Sequence, residues 1–373
     1  MTALRPALLL LMLALAACTP RGALVLDPAA AEVGTVRRVF VGTTRGKDED
    51  TGTDYARFRT LDTRFVRVDV SIPPTHQPGR ISYARPGRAP DPQTDFLTTR
   101  QIIYQEPGAF RADLARALRE APRGSREAVI FVHGFNTTFA EGVYRIAQLS
   151  HDLKMPGVAV HYAWPSRAAP LAYAYDRDSA LFARDGLEDL LRQVTEAGAE
   201  RVVLVAHSMG AAVTMETLRQ MAIAGRPARN IGGVVLISPD LDVDLFRAQA
   251  SRIGELPQPF VIFTSEKDRA LALAARLSGE TARLGNVTDV SELAGLEVTL
   301  VDVTSYSTGT GHFTPGTSPA LIGILSQIGE VDDALASGQT GRTGLLPGVV
   351  LTVQGATQIV LSPVTALAGV AGR

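Results

Sequence analysis

From residue 128 onward the chain alternates short, wholly apolar, β-branched runs with stretches of helical period. Few folds accept that pattern. The runs 128–132, 158–162, 202–205, 233–237, 260–263 and 298–302 read as strands buried on both faces. Helices are expected over 139–152, 176–197, 211–224, 242–252 and 269–277, and one over 318–329 closes the series. Strands separated by helices of this length pair in parallel through right-handed crossovers. The earlier runs 36–41 and 65–70, with a further short strand within 96–104, have no helices between them and suit an antiparallel edge. A helix over 110–120 follows, and 46–53 reads as an exposed loop. The expected class is α/β, a mostly parallel sheet of about eight strands with helices on both faces.

One of these strand-to-helix junctions carries chemistry. The run 202–205 turns sharply through Ala206-His207-Ser208-Met209-Gly210 and continues as a helix. A serine on a tight strand–turn–helix junction is the setting of a nucleophile elbow, usually written Gly-x-Ser-x-Gly. Positions two before and two after the serine lie where strand and helix crowd together, so both need small side chains. Ala206 departs from the pattern by one methyl group, which a slightly wider turn accepts.

A serine hydroxyl is a poor nucleophile until a base takes its proton. Of the six histidines, His76, His133, His151, His161, His207 and His312, only His312 follows Ser208. Sites built on this turn run in the chain order serine, acid, histidine, which makes His312 the candidate base. Two acids compete. Asp268 follows the strand before the last, and Asp240 follows the preceding strand, where Asp240 and Asp242 also read as a helix N-cap. Glu266 and Asp302 are weaker candidates. An oxyanion hole requires two backbone N–H groups. Met209, directly after the serine, supplies one, and Phe135, in the loop His133-Gly134-Phe135-Asn136, supplies the other. His133 precedes the serine and reads as structural support for that loop.

The N-terminus constrains location. Arg5 precedes an apolar run over 7–17 that is too short to span a bilayer and has the form of a signal-peptide core. Leu15-Ala16-Ala17-Cys18 resembles the bacterial lipobox, and Cys18 is the only cysteine, so no internal disulfide can form. The resemblance implies cleavage before Cys18 and its lipidation, which removes Arg5 alone and moves the formal charge from −1 to −2. Thr19 leans toward outer-membrane sorting. Asp plus Glu (38) nearly balances Lys plus Arg (37), leaving no basic face for a nucleic acid. The expected division is a signal peptide over 1–17, a lipidated linker over 18–35, one catalytic domain over 36–330, and a tail over 331–373. That tail reads as a linker, 332–344, followed by a hairpin with strands at 349–353 and 358–361.

Six stretches together carry a family resemblance: Val41-Gly-Thr-Thr-Arg45; Val70-Ser-Ile-Pro73 with His76 and Gly79; Phe131-Val-His-Gly-Phe-Asn136; Tyr162-Ala-Trp-Pro-Ser166; Ala206-His-Ser-Met-Gly210; and Ser238-Pro-Asp240. Over about 36–330 the chain resembles the α/β-hydrolase superfamily, and within it a bacterial esterase/lipase-like family of unknown function. The resemblance implies hydrolysis of small-molecule or lipid acyl esters through an acyl-enzyme, with no metal and no cofactor. With the lipobox, it implies an enzyme lipid-anchored in the bacterial envelope and facing the periplasm. Two other expectations stand beside it: an acyltransferase using the same acyl-enzyme, and a non-catalytic envelope lipoprotein that keeps the fold as a binding scaffold. The segment 166–178, with Leu171, Tyr173 and Tyr175, reads either as a cap over an acyl pocket or as the lead-in to the next helix.

Overall fold

The computed structural model describes residues 21–47, 55–226, 229–279, 283–307, 309–327 and 348–361. The signal peptide, Cys18, Thr19, most of the 46–53 loop and the 332–344 linker lie outside the described residues. Among the described residues eleven strands form one sheet: β1 (Thr35–Lys47), β2 (Tyr55–Ile72), β3 (Leu97–Tyr104), β4 (Glu127–Val132), β5 (Val158–Ala163), β6 (Arg201–His207), β7 (Ile231–Ile237), β8 (Phe260–Thr264), β9 (Thr299–Asp302), β10 (Gly348–Val353) and β11 (Ala356–Leu361). Their order is β10-β11-β9-β8-β7-β6-β4-β5-β1-β2-β3. The pairs from β1–β5 through β9–β11 are parallel, whereas β1–β2, β2–β3 and β10–β11 are antiparallel.

Alternation along each central strand divides the core into two layers, because successive side chains point to opposite faces. On β4, Ala128, Ile130 and Val132 enter one apolar cluster and Phe131 the other; on β1, Phe40 enters the first and Val39 and Val41 the second. The first cluster packs against α1 (Pro107–Leu118), through Phe110, Leu114 and Leu118. The second packs against α2 (Phe139–Asp152), through Phe139, Val143 and Ile146. Further along, α3 (Tyr173–Phe182), α4 (Arg184–Glu196), α5 (Gly210–Ile223), α6 (Val243–Ile253), α7 (Arg269–Ser278) and α8 (Pro319–Gln327) complete the layers around the sheet.

Several sequence expectations are corrected. The sheet has eleven strands rather than about eight, chiefly because the C-terminal hairpin joins it: β11 runs parallel to β9. The hairpin closes on Gln354 and Gly355, both with positive φ (44° and 88°), the conformation a two-residue turn requires. The helix expected over 176–197 divides at Ala183, whose carbonyl accepts a hydrogen bond of 2.5 Å from the Tyr162 hydroxyl. Gly46, assigned to an exposed loop, instead lies inside β1 against Phe58.

The segment 21–34, read as linker, is packed. Leu24 is buried, Thr98 N donates to the Val25 carbonyl, and Asp27 N donates to the Thr98 carbonyl. Composition suggested a linker, yet the segment satisfies its backbone groups on β3 and α2.

Candidate active site

Because β4 to β9 are parallel, their C-terminal ends share one edge of the sheet. The loops that leave that edge carry every residue expected in the site, the usual position for a ligand in an open α/β sheet.

At the end of β6, Ser208 is held at φ 52°, a left-handed backbone that a non-glycine residue adopts only under constraint. Its amide donates to the Ile237 carbonyl at 3.0 Å, and its own carbonyl accepts from Asp240 N at 3.1 Å. The flanking positions explain the pattern of small residues. A Cβ on Gly210 would lie 2.4 Å from the Val132 carbonyl oxygen, so only glycine fits there. Ala206 sits in the sheet between Val132 and Leu236, fully buried in the apolar layer, where its methyl packs. Gly134, in the loop after β4, faces the nucleophile: a Cβ there would lie 2.7 Å from Ser208 Cβ.

His312 and Asp268 are brought together. His312 Nδ1 lies 2.8 Å from Asp268 Oδ2; the carboxylate is fully buried, while the imidazole side chain is 19% exposed. The other oxygen, Oδ1, accepts from Ala270 N (3.1 Å) and Leu271 N (3.0 Å), capping α7. One carboxylate thus caps a helix and orients an imidazole, and the helix N-terminus favours its negative charge. The histidine loop is fastened by Arg269 N, which donates to the Thr310 carbonyl at 3.0 Å, and by the close approach of Gly311 to the Lys267 carbonyl.

Ser208 Oγ and His312 share no hydrogen bond among the described residues. His207, next to the serine, contacts the histidine loop instead. Its Nε2 lies 3.2 Å from the His312 carbonyl oxygen, and the two rings are 4.7 Å apart. Burial, and the nearby His312, hold the His207 pKa well below the usual histidine value, so it is neutral and donates this bond.

Asp240 lies at the same sheet edge but its carboxylate has other partners. It accepts from the Tyr173 hydroxyl (2.9 Å to Oδ2, 3.2 Å to Oδ1) and pairs with Arg283 Nε at 3.2 Å, with side chains only 3% and 5% exposed. Burial pushes its carboxyl above the usual range against the pull of Arg283. The N-cap of α6 is Asp242 alone. The Tyr173 ring meets Phe135 edge-on at 5.5 Å, so this pair braces a wall of the site.

Around the loop 133–138 stands a set of buried groups that sequence reasoning did not single out as functional. Arg45, fully buried, donates from Nη2 to the Thr137 carbonyl (2.7 Å) and from Nη1 to the Ser166 carbonyl (3.2 Å). Asp176 accepts from Ser166 Oγ (2.6 Å), Arg167 N (2.6 Å) and Asn136 N (3.3 Å). His133 stacks on Trp164 at 4.8 Å, with its two ring nitrogens 2.9 Å and 3.0 Å from the Gly134 and Trp164 carbonyls. Burial, reinforced by the Arg45 charge, keeps it neutral. Among the described residues neither the Phe135 nor the Met209 amide donates to a protein acceptor. Arg45 and Ser166 lie in the resemblance stretches, which was the available signal; Asp176 had none.

Among the described residues a groove of about 610 Å³ runs between α4 and α5, lined by Asp189, Arg192 and Arg226 among others, and includes none of the site residues.

Solved structures with a similar chain trace include an esterase of Pyrococcus furiosus, 13% identical, with 85% of this chain and 97% of that one covered and a TM-score of 0.35. An esterase/lipase from an uncultured bacterium is 12% identical, covering 57% of this chain and 78% of that one with a TM-score of 0.30. No curated protein matches the chain. The family described as alpha/beta hydrolase of unknown function (DUF900) matches residues 106–325, more than half the length. That span holds the elbow, the His-Gly loop, both candidate acids and His312, and the chain belongs to this α/β-hydrolase family.

Proposed function

We propose that the protein is a membrane-tethered serine hydrolase of carboxylic esters. Ser208 Oγ attacks the acyl carbonyl, and His312 Nε2 takes its proton and returns it to the leaving alcohol. Asp268 holds the imidazole in orientation and stabilises its charged form. The Met209 and Phe135 amides receive the developing oxyanion. An acyl-enzyme forms on Ser208, and water activated by His312 releases the acid.

The observation that carries the reading is the His312–Asp268 contact at the sheet edge that also bears Ser208 at φ 52°. The open distance between Ser208 Oγ and His312 is compatible with it, since catalytic hydrogen bonds are often long in a free enzyme and tighten on substrate. The tether is supported by the sequence at Leu15–Cys18; no helix among the described residues is long and apolar enough to cross a membrane.

A panel of chromogenic esters of increasing acyl length tests the activity. Hydrolysis of at least one ester, lost in Ser208→Ala, is expected; equal rates for the two proteins would reject the assignment. Metabolic labelling with a fatty-acid analogue, lost in Cys18→Ala, tests the tether.

A further inference from the structure

The strongest feature outside the catalytic residues is the fastening of the chain just after Cys18. Arg21 grips Glu141 with two bonds (Nε to Oε1 2.8 Å, Nη2 to Oε2 2.6 Å) and Asn136 with two more (Nη1 to Oδ1 2.8 Å, Nη2 to the carbonyl 2.7 Å). A further bond runs from Nη1 to the Ala168 carbonyl at 3.4 Å. Gly22 N donates to Glu141 Oε1, and Thr138 Oγ1 donates to the Gly22 carbonyl. A Cβ on Gly22 would lie 2.4 Å from the Tyr83 ring, so the backbone is pressed onto its neighbours. Asn136 follows Phe135, the proposed oxyanion donor, and the Glu141 carboxylate also caps α2 as a capping box with Thr138. The chain therefore enters the fold at the rim of the catalytic site.

Cys18 precedes Arg21 by three residues, which extend to about 10 Å at most. An acyl chain on Cys18 is thus held within about 10 Å of the Arg21 backbone, whose guanidinium contacts the oxyanion loop. Beside the same rim stands the turn between Ala168, which touches Arg21, and Tyr173, which touches Phe135. In this turn Leu171 is 100% exposed, and Arg167, just before it, is exposed with its guanidinium over the Tyr175 ring at 5.2 Å. A lone exposed leucine ordinarily signifies nothing. Here it sits on a turn whose two ends touch Arg21 and Phe135, and an exposed apolar residue and a cation match an acyl layer and anionic headgroups.

We infer that the short tether and the Leu171 turn hold the mouth of the active site against the membrane carrying the anchor, so that its substrate is a bilayer-resident acyl ester. The inference rests on the proposed tethered hydrolase and specifies which esters reach Ser208. Distance selects here: an ester in the bilayer meets the serine without diffusing through water, whereas the same site on a long leash samples the surface only part of the time.

The test uses the full lipidated chain in vesicles of phosphatidylethanolamine and phosphatidylglycerol. Two substrates are compared, a fluorogenic acyl ester dissolved in the bilayer and a water-soluble chromogenic ester. Inserting a flexible Gly/Ser linker of about 20 residues between Pro20 and Arg21 allows an excursion of about 25 Å. The insertion should lower the bilayer rate about fivefold and leave the soluble rate within about twofold, since it lengthens the leash without touching Arg21 or its partners. Leu171→Asp should lower the ratio of bilayer to soluble rate in the same direction. An unchanged ratio in both variants overturns the inference while leaving the hydrolase reading intact. Absence of hydrolysis of both esters by the parent protein, or of lipid on Cys18 by mass spectrometry, overturns the underlying reading and the inference with it.

Discussion

His312 Nδ1 lies 2.8 Å from Asp268 Oδ2, whereas Asp240, the other acid at the same sheet edge, is paired with Arg283 and Tyr173. Substitution separates the two carboxylates by kind of effect. Asp268→Asn should lower kcat/KM about a thousandfold, because the amide no longer stabilises the imidazolium. Asp240→Asn should act mainly on stability, by about 3 kcal/mol, because it leaves Arg283 buried without its counter-charge. Steady-state kinetics and denaturant unfolding of both variants check the assignment; activity lost only in Asp240→Asn would reverse it.

Stability should fall on acidification below about pH 6.5, the ordinary histidine value. His133 and His161 are buried, and burial is the main cause holding both pKa values down, His161 to about 3. The unfolded chain protonates them near pH 6.5, so below that pH the unfolded state binds more protons than the native state and stability drops as pH falls. The slope from these two residues approaches about 3 kcal/mol per pH unit. His207 is displaced in the same direction, while Asp176 and Asp240, raised by burial, act oppositely. Urea unfolding between pH 5 and pH 7 measures the slope. His161→Gln should flatten it by one proton; an unchanged slope in that variant would contradict the account of His161.

The two small positions of the elbow should respond in opposite ways. Ala206→Gly should keep activity and lose up to about 1 kcal/mol of stability through backbone freedom. Gly210→Ala drives a methyl against the Val132 and His133 carbonyls and should displace the turn. Circular dichroism melts with ester kinetics on both variants check this.

Arg45 touches no reacting atom but holds the loop that carries Phe135. In Arg45→Lys a single ammonium replaces the fork that reaches both the Thr137 and Ser166 carbonyls. A fall in kcat of about tenfold with KM within about twofold is expected of a residue that positions an oxyanion donor. Equal loss of kcat and melting temperature in Arg45→Lys and Arg45→Met would indicate a purely structural role.

The parts of the molecule legible in the sequence are those with local signatures. Buried parallel strands such as β4 and β6 are continuous apolar runs, and the elbow joins one to a helix. His312 could be selected because no other histidine follows Ser208. The far ends of β1 and β2 were not legible, since antiparallel edge strands carry exposed polar residues such as Arg57 and Arg64 without an apolar pattern. Placing the C-terminal hairpin depended on a long-range pairing of β11 with β9, and the break at Ala183 on a hydroxyl from another strand. Arg21, Arg45 and Asp176 were overlooked for a shared reason: charged residues in a sequence read as surface, and only tertiary contacts show them turned inward.

The central claim is that Ser208 is an activated nucleophile, and the most direct test is the site of a covalent adduct. The purified protein is treated with a fluorophosphonate probe and the modified peptide is mapped by mass spectrometry. One adduct on Ser208, abolished in Ser208→Ala and strongly slowed in Asp268→Asn, is the expected result. Labelling that persists in Ser208→Ala, or an intact enzyme that takes no label at all, would contradict it.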